Sequence, residues 1–125
     1  MIVAIDIGLK RIGVAISPDG KIALPVNPIL RKNRNQAARD VSLALKQRDA
    51  KTLVVGVPKG GSSEDEMARR IAHFVSLLDF SGEIYYQDEA LSSLEAGELV
   101  SDRRDGRFDS VAAMIILERF LKDEF

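Results

Sequence analysis

Carboxylate side chains lie near the ends of predicted elements at three widely separated points of the chain. Asp6 ends the apolar run IVAID, Asp88 and Glu89 follow EIYYQ, and Asp109 precedes VAAMIILERFL. A charge near the end of a buried strand is costly unless it has a partner. Carboxylates from distant segments can bind one or two divalent ions and organise in-line attack on a phosphodiester. The pattern therefore indicates a metal site that forms only on folding.

Each of these acids also has a structural explanation. An aspartate two residues before Gly8 caps backbone N–H groups of a turn about as readily as it holds a cation. Asp88 and Glu89 would stabilise the N-terminus of a following helix, and Asp109 taken alone is an N-cap. Adjacent side chains on a strand point to opposite faces, so we expect only one of Asp88 and Glu89 to face Asp6.

The composition limits which metal ions could bind and which classes of protein are possible. The chain has 125 residues, no cysteine and one histidine, so disulfides and thiolate sites are excluded and a histidine-rich site is not expected. Oxygen ligands favour hard ions, here Mg²⁺ or Mn²⁺. No apolar run approaches the ~20 residues of a membrane helix. We expect a single domain over residues 1–125, with no leader peptide and no membrane partner.

Basic residues are clustered although the net charge is only −1. Each cluster alone is typical of solvated surface, but together they could form a basic rim suited to nucleic-acid phosphates. The clusters are Lys10-Arg11, Arg31-Lys32-Arg34, Arg69-Arg70 and Arg103-Arg104-Arg107. The loop PKGGSS follows a strand but does not match the nucleotide-binding pattern GxxxxGK[ST]. Its Lys59 is therefore interpreted only as a contact to the backbone of a nucleic acid. Lys10, Arg11 and Lys59 are the predicted nucleic-acid-binding residues.

The hydrophobic pattern predicts five strands and four helices. The predicted strands cover residues 2–7, 11–17, 21–26, 52–57 and 83–87, and the predicted helices cover 35–48, 64–78, 93–100 and 109–122. Hairpins make the first three strands antiparallel, whereas helical crossovers make the last two parallel to the first. We therefore expect an α/β fold: a mixed five-stranded sheet with helices on both faces.

Four segments carry a resemblance to a known family. AIDIGLKRIGVAIS, VVGVPKGGS, YQDEALSSLEA and FDSVAAMIILERFL occur in the order seen in the YqgF family, from Ile2 to Leu121. This family comprises Holliday-junction-resolvase-like proteins, also described as pre-16S ribosomal RNA nucleases. The resemblance implies a ribonuclease-H-like fold. It also implies a metal-dependent nuclease of the bacterial cytoplasm that hydrolyses phosphodiester bonds at the 5′ end of pre-16S rRNA, in ribosome biogenesis.

The resemblance also implies residue roles and partners. By motif match, Asp6, Glu89 and Asp109 are the catalytic acids, and Asp6, Asp88, Glu89 and Asp109 are the candidate ligands of Mg²⁺ or Mn²⁺. The implied partners are pre-rRNA, with branched DNA as an alternative substrate, and the precursor of the small ribosomal subunit. The chain itself is expected to be a monomer or a weak homodimer.

Two departures from the family pattern keep other functions open. Ala90 stands where the family usually has an arginine after Asp-Glu, and the segment SDRRDGR is short. An arginine there could orient a carboxylate or contact a phosphate, so a catalytically weak RNA- or ribosome-binding module is the alternative. The Asp-x-Gly-x-Lys start also resembles the first phosphate loop of actin-like ATPases and sugar kinases. Those enzymes bind nucleotide between two such domains, and this length supplies one.

Overall fold

A computed structural model describes residues 1–57, 64–88 and 107–124, and at residues 64–65, 107–109 and 124 it describes the backbone alone. The strands in these ranges are β1 Ile2–Ile7, β2 Arg11–Ser17, β3 Leu24–Leu30, β4 Thr52–Val57 and β5 Glu83–Asp88. The helices are α1 Arg34–Gln47, α2 Glu64–Ser76 and α3 Arg107–Glu124. The predicted helix over 93–100 lies outside the described residues. None of the helices described is long and apolar enough to cross a membrane.

The five strands form one mixed sheet in the order β3-β2-β1-β4-β5. β1 pairs antiparallel with β2, and β2 antiparallel with β3, whereas β4 runs parallel to both β1 and β5. The predicted mixture of antiparallel and parallel strands is confirmed. β1 is the central strand, so the carboxylate that it carries lies between two neighbouring strands.

Strand alternation divides the apolar side chains between two faces of the sheet. Val3 and Ile5 of β1 belong to a buried cluster with residues of α1 and α2, whereas Ala4 packs with α3. Burying a side chain such as Ile5 or Ile116 of α3 stabilises the fold by ~1.5–3 kcal/mol. Helices therefore cover both faces, as predicted, with α1 and α2 on one side and α3 on the other.

The third strand begins later than the sequence pattern predicts. The backbone N–H groups of Lys21 and Ile22 donate to Asp19 Oδ1 at 2.8 and 3.0 Å and hold this stretch in a turn. The hydrogen bonds from Ile22 and Lys21 lower the pKa of the Asp19 carboxyl group. The ladder consequently starts at Leu24 and continues to Leu30 through two prolines, which β3 tolerates because it is an edge strand.

The turn from β1 to β2 is tight and fixed at both ends. Gly8 N donates to Arg11 O at 3.0 Å, and a Cβ atom on Gly8 would lie 2.5 Å from that same oxygen. A side chain at this position would therefore force the turn to open. Arg31 Nη1 donates to Gly8 O at 2.9 Å and ties the turn to the end of β3. The segment directly after Asp6 is thus held in place.

Candidate active site

Asp6 lies near the end of the central strand with a glycine on each neighbouring strand. It pairs with Gly13 of β2, and the parallel register of Ile5 with Val55, continued by one residue, brings Gly56 of β4 beside it. Laterally paired residues share a face of the sheet, so no side chain from either neighbour crowds the Asp6 carboxylate. Asp6 itself is partly buried. The sheet therefore leaves room beside this carboxylate for a cation or a phosphate.

The first turn of α3 is attached to β2 beside Asp6. By strand alternation Asp6 shares a face with Ala4, which packs against α3. The hydroxyl of Ser110 in α3 accepts the backbone N–H of Val14 at 3.3 Å in a buried setting. Val14 directly follows Gly13, the partner of Asp6. This buried hydrogen bond thus helps to hold the start of α3 against the strand next to Asp6.

Asp109 immediately precedes Ser110 in the first turn of α3. The helix begins at Arg107, so the prediction that Asp109 is the N-cap is wrong. The reason is that the helical hydrogen-bonding pattern extends two residues further toward the N-terminus than the apolar run indicates. A carboxylate in the first turn remains favourable for the helix dipole. The backbone of Asp109 lies on the Asp6 side of the sheet, and its side chain is outside the description.

The register of β5 separates the two adjacent acids predicted for the site. Asp88 pairs with Val57, which belongs to the buried cluster on the α1 and α2 side. By alternation Asp88 points to that side, opposite to Asp6, so the register does not bring Asp88 together with Asp6 as a ligand. Glu89 lies outside the described residues.

The predicted nucleic-acid contacts are only partly described. Lys10 and Arg11 are exposed at the β1–β2 turn. Arg11 lies two residues before Gly13 on β2, so it shares the face of Asp6. Lys59 lies outside the described residues. Two exposed cationic residues therefore lie in the turn and at the start of the strand that follow Asp6.

The described part of the chain does not by itself complete a metal site. Among the described residues, no group of three or more His, Asp or Glu side chains could hold a metal ion. Two predicted members, Glu89 and the Asp109 side chain, are not included in that description. The donor chemistry still fits a hard cation, because Asp6 offers carboxylate oxygens in an uncrowded place. The ligand set of Asp6, Glu89 and Asp109 stays a prediction.

A cleft on the other side of the β1–β2 turn was not predicted from the sequence. Arg31, Arg34 and Arg70 line a cavity of about 550 Å³ together with apolar residues. The sequence signal was present, because all three belong to basic clusters. Their meeting depends on the end of β3, the start of α1 and the middle of α2 coming together. The spacing of these arginines along the chain does not predict that they meet.

Sequence comparison places the chain among bacterial proteins of similar length. A protein of Sulfurovum sp. strain NBC37-1 is 58% identical over 122 residues, covering 94% of this chain and 95% of the relative. A protein of Campylobacter lari is 54% identical over 120 residues, covering 94% of each chain. Both relatives carry the provisional name pre-16S rRNA nuclease.

Solved structures share the fold at low sequence identity. RuvC from T. thermophilus, in complex with Holliday junction substrate, aligns with a TM-score of 0.63 at 12% identity, covering 99% of this chain and 96% of that chain. The Fowlpox virus resolvase in complex with Holliday junction DNA aligns with a TM-score of 0.54 at 10% identity, covering 99% and 98%. At these identities the likeness shows the fold alone, and it confirms the ribonuclease-H-like architecture. Residues 1–123 match the family described as RuvX, Holliday junction resolvase, and the chain therefore belongs to the RuvX family.

Proposed function

We propose that this chain is a metal-dependent nuclease that hydrolyses phosphodiester bonds in the 5′-end processing of pre-16S rRNA. The observation that carries the proposal is the setting of Asp6. This carboxylate lies near the end of the central strand, between Gly13 and Gly56, on the face of the sheet that α3 covers. The names of the relatives at 58% and 54% identity support the choice of substrate.

The proposed ligands are Asp6, Glu89 and Asp109, with Mg²⁺ or Mn²⁺ as the ion. A bound ion would activate a water molecule and stabilise the leaving oxygen. The carboxylates would fix the ion at the end of β1, where the glycine neighbours leave space for a scissile phosphate. Asp88 is left out of this set because its strand register directs it to the other face of the sheet.

Basic residues near the site would position the substrate strand. Arg11 shares the face of Asp6, and Lys10 lies in the adjoining turn. Together with Lys59, they would neutralise phosphates on either side of the scissile bond. We propose that they set the path of the strand and carry little sequence specificity, because phosphate contacts do not read bases.

We propose that the protein acts in the cytoplasm on the precursor of the small ribosomal subunit. One active site is enough for a single cut in an RNA strand, so a monomer would suffice for this task. Paired cuts in a two-fold symmetric DNA junction would require a dimer. The choice between RNA and branched DNA is therefore also a question about oligomeric state.

A cleavage assay tests the proposal. Purified protein would be incubated with a pre-16S rRNA fragment containing the mature 5′ end, and separately with a four-way DNA junction, in Mn²⁺ or EDTA. We expect Mn²⁺-dependent cleavage of the RNA at one position. Asp6→Asn and Asp109→Asn should each lower the rate by about 100-fold or more, because a metal-bound site supplies several kcal/mol of transition-state stabilisation.

Asp40→Asn is the matched control, since Asp40 is an exposed carboxylate on α1 and should leave the rate unchanged. Cleavage that survives in both Asp6→Asn and Asp109→Asn would contradict the proposed site. Tight RNA binding by the wild-type protein without any cleavage would contradict the nuclease function. That result would favour the RNA-binding module, consistent with Ala90 in the place of the family arginine.

A further inference from the structure

Three arginines converge on one cleft beside the β1–β2 turn. Arg31 follows β3, Arg34 begins α1, and Arg70 lies in α2. We refer to the cavity of about 550 Å³ that they line as the arginine cleft. Its volume is within the ~300–1,000 Å³ typical of sites for small ligands. Its remaining described lining is Ile7, Gly8, Leu9, Met67, Ile71 and Phe74.

The guanidinium groups are held in place but keep donors for a ligand. Arg31 Nη1 donates to Gly8 O at 2.9 Å, and its Cζ lies 5.8 Å from the centroid of the Phe74 ring. Arg34 Nη1 lies 3.3 Å from His73 Nδ1, and Arg70 Nη2 lies 2.6 Å from Glu66 Oε1. A guanidinium has five N–H donors, so these contacts leave most of them available.

The charge around the cleft favours an anion. None of its described lining residues is acidic, and Glu66, which pairs with Arg70, offsets one of the three arginine charges. Arg34 is the first residue of α1, and the first turn of that helix contains no acidic residue. The N-terminus of a helix carries a partial positive charge, so an arginine there is unfavourable unless an anion balances it. Planar guanidinium groups bind phosphate oxygens through paired hydrogen bonds, which makes phosphate the best match.

The apolar part of the cleft fits a nucleobase beside that phosphate. Leu9 is 84% exposed at the turn and presents apolar surface to the cleft that it lines. Met67 is partly buried, and Phe74 lies at the base of the cleft, 1% exposed. Proteins that bind single strands combine a positively charged groove for the backbone with a platform for the bases, which is usually aromatic and would here be aliphatic. A duplex would keep its bases stacked away from Leu9 and Met67.

The arginine cleft and the Asp6 site lie at the same end of the sheet. Ile7, Gly8 and Leu9 line the cleft and directly follow Asp6 in the chain. The cleft lies on the α1 and α2 side, whereas Asp6 lies on the α3 side, and among the described residues the β1–β2 turn lies between them. A single strand leaving Asp6 would reach the cleft by crossing this turn, past Lys10.

We propose that the arginine cleft binds a nucleotide of the single-stranded substrate, with the phosphate on Arg34 and Arg70 and the base against Leu9 and Met67. This inference rests on the proposed function, because it assigns the strand next to the scissile bond. It extends that function by giving the protein a second contact region on the opposite face of the sheet. The cleft therefore selects substrates that are unpaired beside the cleavage point.

Binding in EDTA tests this inference separately from catalysis. The affinity of a fluorescently labelled single-stranded RNA of ~12 nucleotides would be measured by anisotropy over a series of salt concentrations. We expect Arg34→Gln/Arg70→Gln to weaken binding by about tenfold or more. Each lost phosphate contact should reduce the slope of log affinity against log salt by ~0.7, so the double variant should lose ~1.4.

The control Arg39→Gln/Arg48→Gln removes the same charge from α1 outside the cleft. Arg48 follows the end of α1, about 20 Å along the helix axis from Arg34. The RNA affinity of this control should lie within about twofold of the wild-type value. Its slope of log affinity against log salt should remain close to that of the wild type. Arg34→Lys/Arg70→Lys should recover most of the slope, because lysine keeps the charge but not the paired geometry.

If Arg34→Gln/Arg70→Gln and the control Arg39→Gln/Arg48→Gln lose RNA affinity equally, the inference is overturned. Binding of AMP as tight as that of the RNA, and equally dependent on Arg34 and Arg70, would also overturn it, because the cleft would then be a site for free nucleotide. Since no cleavage occurs in EDTA, a protein that fails to cut RNA can still pass this test. Failure of the proposed function and failure of the cleft are therefore distinguishable.

Discussion

At the scale of single residues, the setting of Asp6 bears on the choice between a turn cap and the proposed metal ligand. The sequence predicts a carboxylate at the end of a buried strand but leaves those two roles open. The paired strands add that both lateral neighbours, Gly13 and Gly56, lack side chains. A turn cap has no need of such space, whereas a cation and a phosphate require it. The glycines are visible in the sequence, but only the register shows that they flank Asp6.

Of the two adjacent acids, we expect Glu89, rather than Asp88, to act in RNA cleavage. Glu89→Gln should lower Mn²⁺-dependent RNA cleavage by about 100-fold, because it removes the charge of a proposed metal ligand. Asp88→Asn should stay within a few-fold of the wild type, since its side chain points to the α1 and α2 side. Initial rates at saturating RNA check both. A large loss in Asp88→Asn with an active Glu89→Gln would show that Asp88, and not Glu89, is the second acid of the site.

At the scale of elements, α3 is positioned by one buried hydrogen bond as well as by apolar packing. The sequence predicts α3 from its apolar run, and Ser110 appears there only as a small polar residue. The structure shows that its hydroxyl accepts the Val14 N–H where the pairing of β2 with β3 shifts. Such a bond between residues 96 positions apart cannot be found from helical periodicity. It brings the start of α3 to the site.

Removing this hydroxyl should loosen the start of α3. Ser110→Ala leaves the buried Val14 N–H without an acceptor, which costs ~1–3 kcal/mol in the free energy of unfolding. Urea denaturation followed by circular dichroism checks this. Ser76→Ala is the control, because the Ser76 hydroxyl is exposed and bonds only to its own helix at His73 O. If Ser110→Ala is as stable as Ser76→Ala, the hydrogen bond does not hold α3 in place.

Element boundaries were less predictable than element order. The order and pairing of the strands followed from apolar runs and turn residues, because those features are local. The start of β3 moved to Leu24 because the Asp19 carboxylate captures the N–H groups of Lys21 and Ile22. The start of α3 moved to Arg107 because hydrogen bonding, rather than apolar content, defines a helix end. Both shifts reflect polar contacts that a hydrophobic pattern does not include.

At the scale of the whole molecule, two chemically different regions share one end of the sheet. Asp6 lies on the α3 side of the β1–β2 turn, and the arginine cleft lies on the α1 and α2 side. The net charge of −1 hides this separation, because it averages carboxylates and arginines over the whole surface. The basic clusters were visible in the sequence. Which of them meet depends on contacts between β3, α1 and α2, and only the fold supplies those.

This layout gives a physical reason for a nuclease that is selective for unpaired strands. The carboxylate site would cut, and the arginine cleft would hold the strand beyond the cut through phosphate and base contacts. The turn at Gly8 is tight, because the Gly8 N–H donates to Arg11 O and a side chain at this position would not fit. Since this turn joins the two regions, it fixes the distance between them. Membership of the RuvX family is consistent with a strand-cutting function.

Manganese binding tests the central claim most directly. Titration of the protein with Mn²⁺, followed by the electron paramagnetic resonance signal of the free ion, reports whether the proposed carboxylates hold the metal without any substrate. The wild-type protein and Asp88→Asn should bind Mn²⁺ alike, whereas Asp6→Asn and Asp109→Asn should each weaken binding by about tenfold or more. If Asp6→Asn and Asp109→Asn bind Mn²⁺ as tightly as the wild type, the carboxylates at the end of β1 and the start of α3 do not form the metal site.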